Sequence, residues 1–152
     1  MCKRVSNMFN KDTFNQDFTL SSVNIKKISC KTKSNRKSGN FNLSYYDIFV
    51  PKISENKLTI TYTRYLKIKK LVDIEVSFDL IWLIKAEKLT DIQNYDFDKC
   101  NEEEKDLLTT PASNQASLII SQLMNFCDYP TVITPPIFIF QDKQNEEAKN
   151  KD

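Results

Sequence analysis

Histidine is absent from this 152-residue sequence, and glycine occurs once, at Gly39. Those two facts remove most familiar chemistry. No Ser-His-Asp triad, no Cys-His pair and no histidine metal ligand can form. A single glycine cannot build the Walker loop or the G-x-G-x-x-G turn, which need several for close backbone approach to phosphate. Carboxylates, thiols, lysines and tyrosines are what is left. Glu75 and Asp79 are the carboxylate candidates for acid–base work, yet both fall at outward positions of a strand pattern, where charge is ordinary. Cys2, Cys30, Cys100 and Cys127 are far apart and form no C-x-x-C. They read as reduced thiols used as small hydrophobes. The chain is therefore expected not to be an enzyme, and to need no cofactor and no metal.

The totals point the same way. Hydrophobic content of 40% supports one core, and a net charge of +2 gives no general attraction to nucleic acid or membrane. No apolar run is long enough to span a bilayer. Met1 to Phe18 has no apolar signal core, so the cytoplasm is the expected location. Lys26, Lys27, Lys31, Lys33, Arg36 and Lys37 cluster, but without interleaved aromatics. They read as a solvated connection rather than a nucleic-acid patch.

The elements follow from periodicity. Residues 1–17 are polar with scattered Phe9 and Phe14, and read as a loosely held arm. Phe18 to Thr32 reads as a first strand whose alternation changes phase, which suggests a bulge or a change of neighbour. Phe41 to Val50 reads as a second strand ended by Pro51. Lys57 to Lys69 alternates most cleanly, with Leu58, Ile60, Tyr62, Leu66 and Ile68 on one face. The fourth strand presents Val72, Ile74, Val76, Phe78, Leu80, Trp82 and Ile84 inward, and Ile81 with Leu83 makes its far end apolar on both faces. Its hairpin must turn near Lys69 and Lys70 without glycine. Lys88 to Lys99 is polar linkage.

Leu107 to Phe140 carries one charge, Asp128, in a chain that is 28% charged. Asn101 with Glu104 resembles a capping box for a short helix through Leu108. Pro111 then suits the first position of a second helix. Ala112, Ala116, Ile119, Ile120, Leu123 and Cys127 follow at helical spacing. The opposite face carries Asn114, Ser117, Leu118, Ser121 and Asn125, all uncharged. Either this is a core helix with a neutral back, or a helix sandwiched between its own sheet and a partner. The tail from Gln141 to Asp152 is charged, without an apolar face, and is expected to be disordered. Four strands and then a helix predict an α+β fold, a four-stranded antiparallel sheet with a long helix on one face. It would occupy residues 18–140, between the arm (1–17) and the tail (141–152).

The strand FTLSSVNIKKISCKT, the order of four strands and a helix, and the segment ASLIISQLMNFCDYPTVITPPIFI together resemble the SecB family of export chaperones. The resemblance implies an ATP-independent holdase that binds unfolded or precursor polypeptides and hands them to a translocase motor. Some SecB-like proteins instead guard an antitoxin. It also implies a homodimer or homotetramer, with first strands pairing between protomers and helices stacking between dimers. Val23 and Ile25, with Asn114, Leu118, Ser121 and Asn125, would then lie at the oligomer interface. The loop KSNRKSGN lacks the groove aromatics of well-known members. The tail lacks an apolar second helix and the Cys and His of a zinc-binding, motor-docking end.

A holdase needs exposed apolar area. Met124, Phe126, Tyr129, Ile137, Phe138, Ile139 and Phe140 are the candidates to supply it to a client, with Tyr45 and Tyr46 beside them. Phe138 and Phe140 have a plainer use, as cover for the sheet edge. A module binding one specific folded partner is the alternative to the holdase.

Overall fold

The computed structural model describes residues 8–33, 42–127, 129 and 131–139. Four strands, β1 (Phe18–Thr32), β2 (Leu43–Ser54), β3 (Lys57–Ile68) and β4 (Val72–Ile84), form one antiparallel sheet in the order β1-β4-β3-β2. A four-residue helix, α1 (Phe14–Asp17), precedes β1; α2 (Leu89–Gln93) and two 3₁₀ turns link β4 to the long helix α3 (Glu102–Phe126). The α+β fold read from the sequence is the fold found.

The inward rows of β3 and β4 build the sheet's share of the core. Leu58, Ile60, Tyr62, Leu66 and Ile68 are buried, as are all seven predicted inward residues of β4. The phase changes in β1 are two bulges, between Leu20 and Ser22 and between Ile25 and Lys27. Each inserts one residue, Ser21 and Lys26, and so resets the alternation. As a result Phe18, Leu20, Val23, Ile25, Ile28 and Cys30 all stand opposite inward residues of β4. Without the bulges a simple period of two would turn part of this set to the other face.

Three expected boundaries move. Pro51 does not end β2: the strand continues to Ser54, with Pro51 opposite Ile60. β2 is an edge strand, where a missing ladder donor is tolerated. Phe9 and Phe14 do not belong to a loose arm. Both are buried, and Phe9 packs on Phe14, Phe18, Tyr95 and Phe97 while Phe14 meets Trp82 edge-on. Aromatic rings of this size bring enough apolar area to pin a polar segment.

The third change is α3, which is one helix running through Pro111 rather than two. Proline at 111 has no N–H for the Leu107 carbonyl, and its ring crowds that group. The indole Nε1–H of Trp82 donates to the next carbonyl, Leu108 O, at 3.1 Å, so the disturbed turn gains a partner from the sheet. The capping box read from Asn101 and Glu104 is present in both directions. Glu104 is itself buried, and its carboxylate also accepts the Tyr95 hydroxyl and the Phe9 amide. One carboxylate therefore caps α3 and ties the N-terminal segment to it. The β3–β4 hairpin turns with Lys70 at φ 65°, in the left-handed region where glycine is the usual occupant.

Candidate functional site

The segment after α3 runs back along the helix, and a buried ion pair clamps it. Arg64 lies in the inward row of β3, between Tyr62 and Leu66, and Asp47 stands directly opposite on β2. Both side chains are fully buried. Arg64 Nε donates to Asp47 Oδ1 at 2.7 Å and Nη2 to Oδ2 at 2.8 Å, a bidentate pair. The other donors reach the returning segment: Nη1 to Thr134 Oγ1 and Pro135 O at 3.0 and 2.7 Å, Nη2 to Ile137 O at 2.6 Å. All five guanidinium hydrogens are used. Burial opposes the charge, but the hydrogen bonds that Arg64 donates to Asp47 and the negative charge there outweigh it and hold the guanidinium above its ordinary value.

Asp47 also grips the segment through its backbone. Its N–H donates to Ile139 O, and its Oδ2 accepts from the Ile139 N–H, each at 2.9 Å. On the helix side Ser113 donates to Pro136 O at 2.9 Å, Ser117 to Thr134 O, and Asp106 accepts from the Phe138 N–H at 3.1 Å. Residues 131–139 thus form a strap between α3 and the β2 edge. Its aromatic anchor is Phe138, 7% exposed, set edge-on against Phe49 and Tyr62.

The strap divides the expected client residues. Met124, Tyr129 and Phe138 are buried in the protein's own core and offer no exposed area. The reason is local: Met124 lies on the sheet-facing side of α3, the Tyr129 N–H closes on Met124 O, and Phe138 plugs the β2–β3 face. Ile139 is half-buried by its pairing with Asp47, and Tyr45 is half-buried against the core. Tyr46 points to the opposite face of the sheet, stacked on Tyr65 at 5.1 Å. Phe140 and Asp128 lie outside the described residues. Phe126 is 87% exposed, and Ile137 is exposed as well. Ile133, not among the candidates, is 80% exposed.

Four of the six expected interface residues are exposed in the single chain, and Val23 and Ser121 are half-buried. On α3 Asn114 and Asn125 are exposed, Leu118 is 60% exposed and Ser121 is half-buried. On β1 Val23 is half-buried and Ile25 is 56% exposed, with Ile28, also exposed, two pairs further along. The partners of Ile25 and Ile28 on β4, Phe78 and Val76, are fully buried. The helix-side face of the sheet therefore extends beyond α3's cover and ends at β1. The β1 backbone pairs with β4, and at its start the Phe18 N–H also donates to Phe14 O.

The opposite face of the sheet is mixed: Ile48 and Val50 are exposed on it, beside polar and charged side chains. Lys27 pairs with Glu75 at 2.9 Å and Lys33 with Asp73 at 2.7 Å, while Thr61 donates to Asp79. Glu75 and Asp79 are thus partnered across the sheet, as their outward positions suggested. Among the described residues no group of His, Cys, Asp and Glu is arranged to hold a metal, and no helix is long and apolar enough to cross a membrane.

Sequence reading missed Arg64 and Asp47. The signal was present: each is a charge inside an otherwise apolar row, at positions that strand pairing sets face to face.

No protein-family model matches the sequence, and no curated protein sequence matches it. Among solved structures, the chain is similar to the Mycobacterium tuberculosis SecB-like chaperone Rv1957, determined in complex with a ChAD peptide from the Rv1956 HigA1 antitoxin. The TM-score is 0.60 at 7% identity, over 83% of this chain and 91% of that one. A protein of unknown function from Streptococcus agalactiae aligns over 78% of this chain and 97% of its own, with 8% identity and a TM-score of 0.48. The four-stranded antiparallel sheet with its long helix is the fold of a SecB-like chaperone.

Proposed function

We propose that this protein is an ATP-independent holdase, which binds unfolded or precursor polypeptides in the cytoplasm and works as a homodimer or homotetramer. The observation that carries the reading is the large apolar side chains left uncovered after the strap has closed: Leu118, Phe126, Ile133 and Ile137 along α3 and the strap, Ile25 and Ile28 on β1. Apolar area of this kind marks surfaces that meet other chains. A long unpaired edge strand is a further place for another chain to join. In this reading β1 and the neutral face of α3 serve contacts between copies, while Phe126, Ile133 and Ile137 meet the client. Binding the unfolded client lowers the concentration of free, aggregation-prone chain without any nucleotide.

The test is dilution of a chemically unfolded client into buffer with and without this protein, with no nucleotide, followed by light scattering. Suppression at near-equimolar ratio is expected, and weaker suppression by Phe126→Asp with Ile137→Asp. Unchanged client aggregation would overturn the reading.

A second reading is favoured by the antitoxin peptide bound to the Mycobacterium tuberculosis chaperone. Here the protein binds one specific partner, such as an antitoxin, instead of many unfolded chains. It predicts tight binding of a single peptide and no effect on generic clients. Delivery to a translocase motor is a third property, tested separately by binding to the purified motor.

A further inference from the structure

We propose that Cys30 and Cys127 are a thiol pair that a small-molecule disulfide oxidises to an intramolecular disulfide, linking edge strand β1 to the C-terminal end of α3. The two residues are 97 positions apart in sequence, yet their sulfurs lie 4.0 Å from each other. A disulfide requires about 2.0 Å, so the sulfurs must close by roughly 2 Å. Both positions can supply that movement. Cys127 is the C-cap of α3, where helical backbone geometry ends, and Cys30 lies two residues from the end of edge strand β1. Both are half-buried, so a small oxidant can reach them. Cys100 is buried elsewhere, beside Tyr95 and Glu104.

One of the two thiols loses its proton to solvent and attacks a sulfur of glutathione disulfide, whose S–S bond breaks to release one glutathione thiolate. The second cysteine, deprotonated in turn, attacks the mixed disulfide and expels the other glutathione. Two protein thiols and one small disulfide become one protein disulfide and two small thiols; two electrons pass from protein to glutathione. Burial pushes the Cys30 thiol up to about 11, and the neighbouring Cys127 adds to this. The thiolate is therefore scarce at neutral pH, and the reaction is slow there and faster as pH rises.

The link closes a long loop between an edge strand and a helix end, which restricts the unfolded chain. It also fixes the positions of Ile28 and Phe126, two and one residues from the cysteines.

The experiment treats the full chain with glutathione disulfide at neutral and alkaline pH, and reads intact mass, free thiols and non-reduced peptide maps. The expected product is two hydrogens lighter, yields a Cys30–Cys127 linked peptide, forms faster at the higher pH, and melts at least about 5 °C higher. Cys30→Ser and Cys127→Ser should each abolish the link and the shift, while Cys2→Ala should keep both. Stable glutathione adducts on either cysteine without the linked peptide would overturn the proposal. So would a link that joins two chains or that uses Cys2 or Cys100. Because the mapping is done on the unaltered chain, poor folding of a serine variant leaves the test decisive.

Discussion

Arg64 and Asp47 face each other across β3 and β2 as a fully buried bidentate pair, and between them they hold Thr134, Pro135, Ile137 and Ile139 against the sheet. A buried pair of this kind is weak evidence of stability by itself, since desolvation of both charges offsets much of their attraction. Its value here lies in the strap. Three strap oxygens, Thr134 Oγ1, Pro135 O and Ile137 O, accept from Arg64.

Arg64→Ala is therefore expected to destabilise the fold by about 3–5 kcal/mol, because it strands the Asp47 carboxylate in the core and frees the strap. Arg64→Lys should rescue little, since an ammonium has three donors where the guanidinium uses five. Urea unfolding gives the energy, and amide exchange at Ile139, Phe138 and Asp47 reports strap release. Wild-type protection at these amides in Arg64→Ala would show that the strap is held by something other than the clamp.

The same pair shows where sequence patterning stopped. Alternation placed the inward rows of β3 and β4 correctly because a residue's face depends only on parity. The capping box at Asn101 was legible because it is a local contact between residues three apart. The clamp is not local: its members are 17 and about 70 positions apart, and only the β2–β3 register brings them together. Proline's preference for the first turn, taken alone, predicts a helix start at Pro111. Trp82, which supplies the compensating donor, lies on a different element. The burial of Phe9 and Phe14 is not local either. Phe9 and Phe14 have no periodicity of their own, and their burial depends on Tyr95, Phe97 and Trp82 far along the chain.

Phe126 and Phe138 are twelve residues apart and have opposite surroundings. Phe138→Ala empties a site against Phe49 and Tyr62 and should destabilise the fold by about 3–5 kcal/mol. Phe126→Ala removes an exposed ring and should stay within about 0.5 kcal/mol of wild type. Client binding should reverse the order among folded variants, with Phe126→Ala losing affinity. Denaturant melts paired with the aggregation assay separate the two effects. Equal loss of stability in both variants would contradict the described packing at the end of α3.

Ile25 and Ile28 test the free edge. Both stand in the core-side row of β1 yet are exposed in the single chain. Ile25→Lys with Ile28→Lys should therefore change monomer stability by less than about 1 kcal/mol. If copies meet along β1, the same change places like charges at the contact and should lower the mass measured by light scattering. A second pair, Leu118→Lys with Asn114→Lys, asks the same of the α3 face. Loss of mass in one pair and not the other would identify which surface the copies use.

Stability should also fall in alkali. Burial, and after it the charge of Glu104, pushes the Cys100 thiol up to about 12, and burial with Cys127 pushes Cys30 up to about 11, from an ordinary value of 9.0. Burial likewise raises the hydroxyls of Tyr62 and Tyr95 above their ordinary value of 10.0. In the unfolded chain these thiols ionise near pH 9 and the phenols near pH 10, while the folded chain still holds the protons. Unfolding above pH 9 therefore releases protons, and stability falls as pH rises through that window. Below it the folded and unfolded forms hold the same protons at these sites, so the contribution is complete. With no histidine in the sequence, no imidazole adds a slope near neutrality. Urea midpoints at roughly pH 7, 9 and 10.5, taken under reducing conditions, should show little change to the first step and a clear drop over the second. Cys100→Ala should make that drop shallower, because it removes the thiol with the higher folded value. An unchanged drop in Cys100→Ala would assign the alkaline loss to the other groups, among them Tyr62, Tyr65, Tyr95 and Cys30.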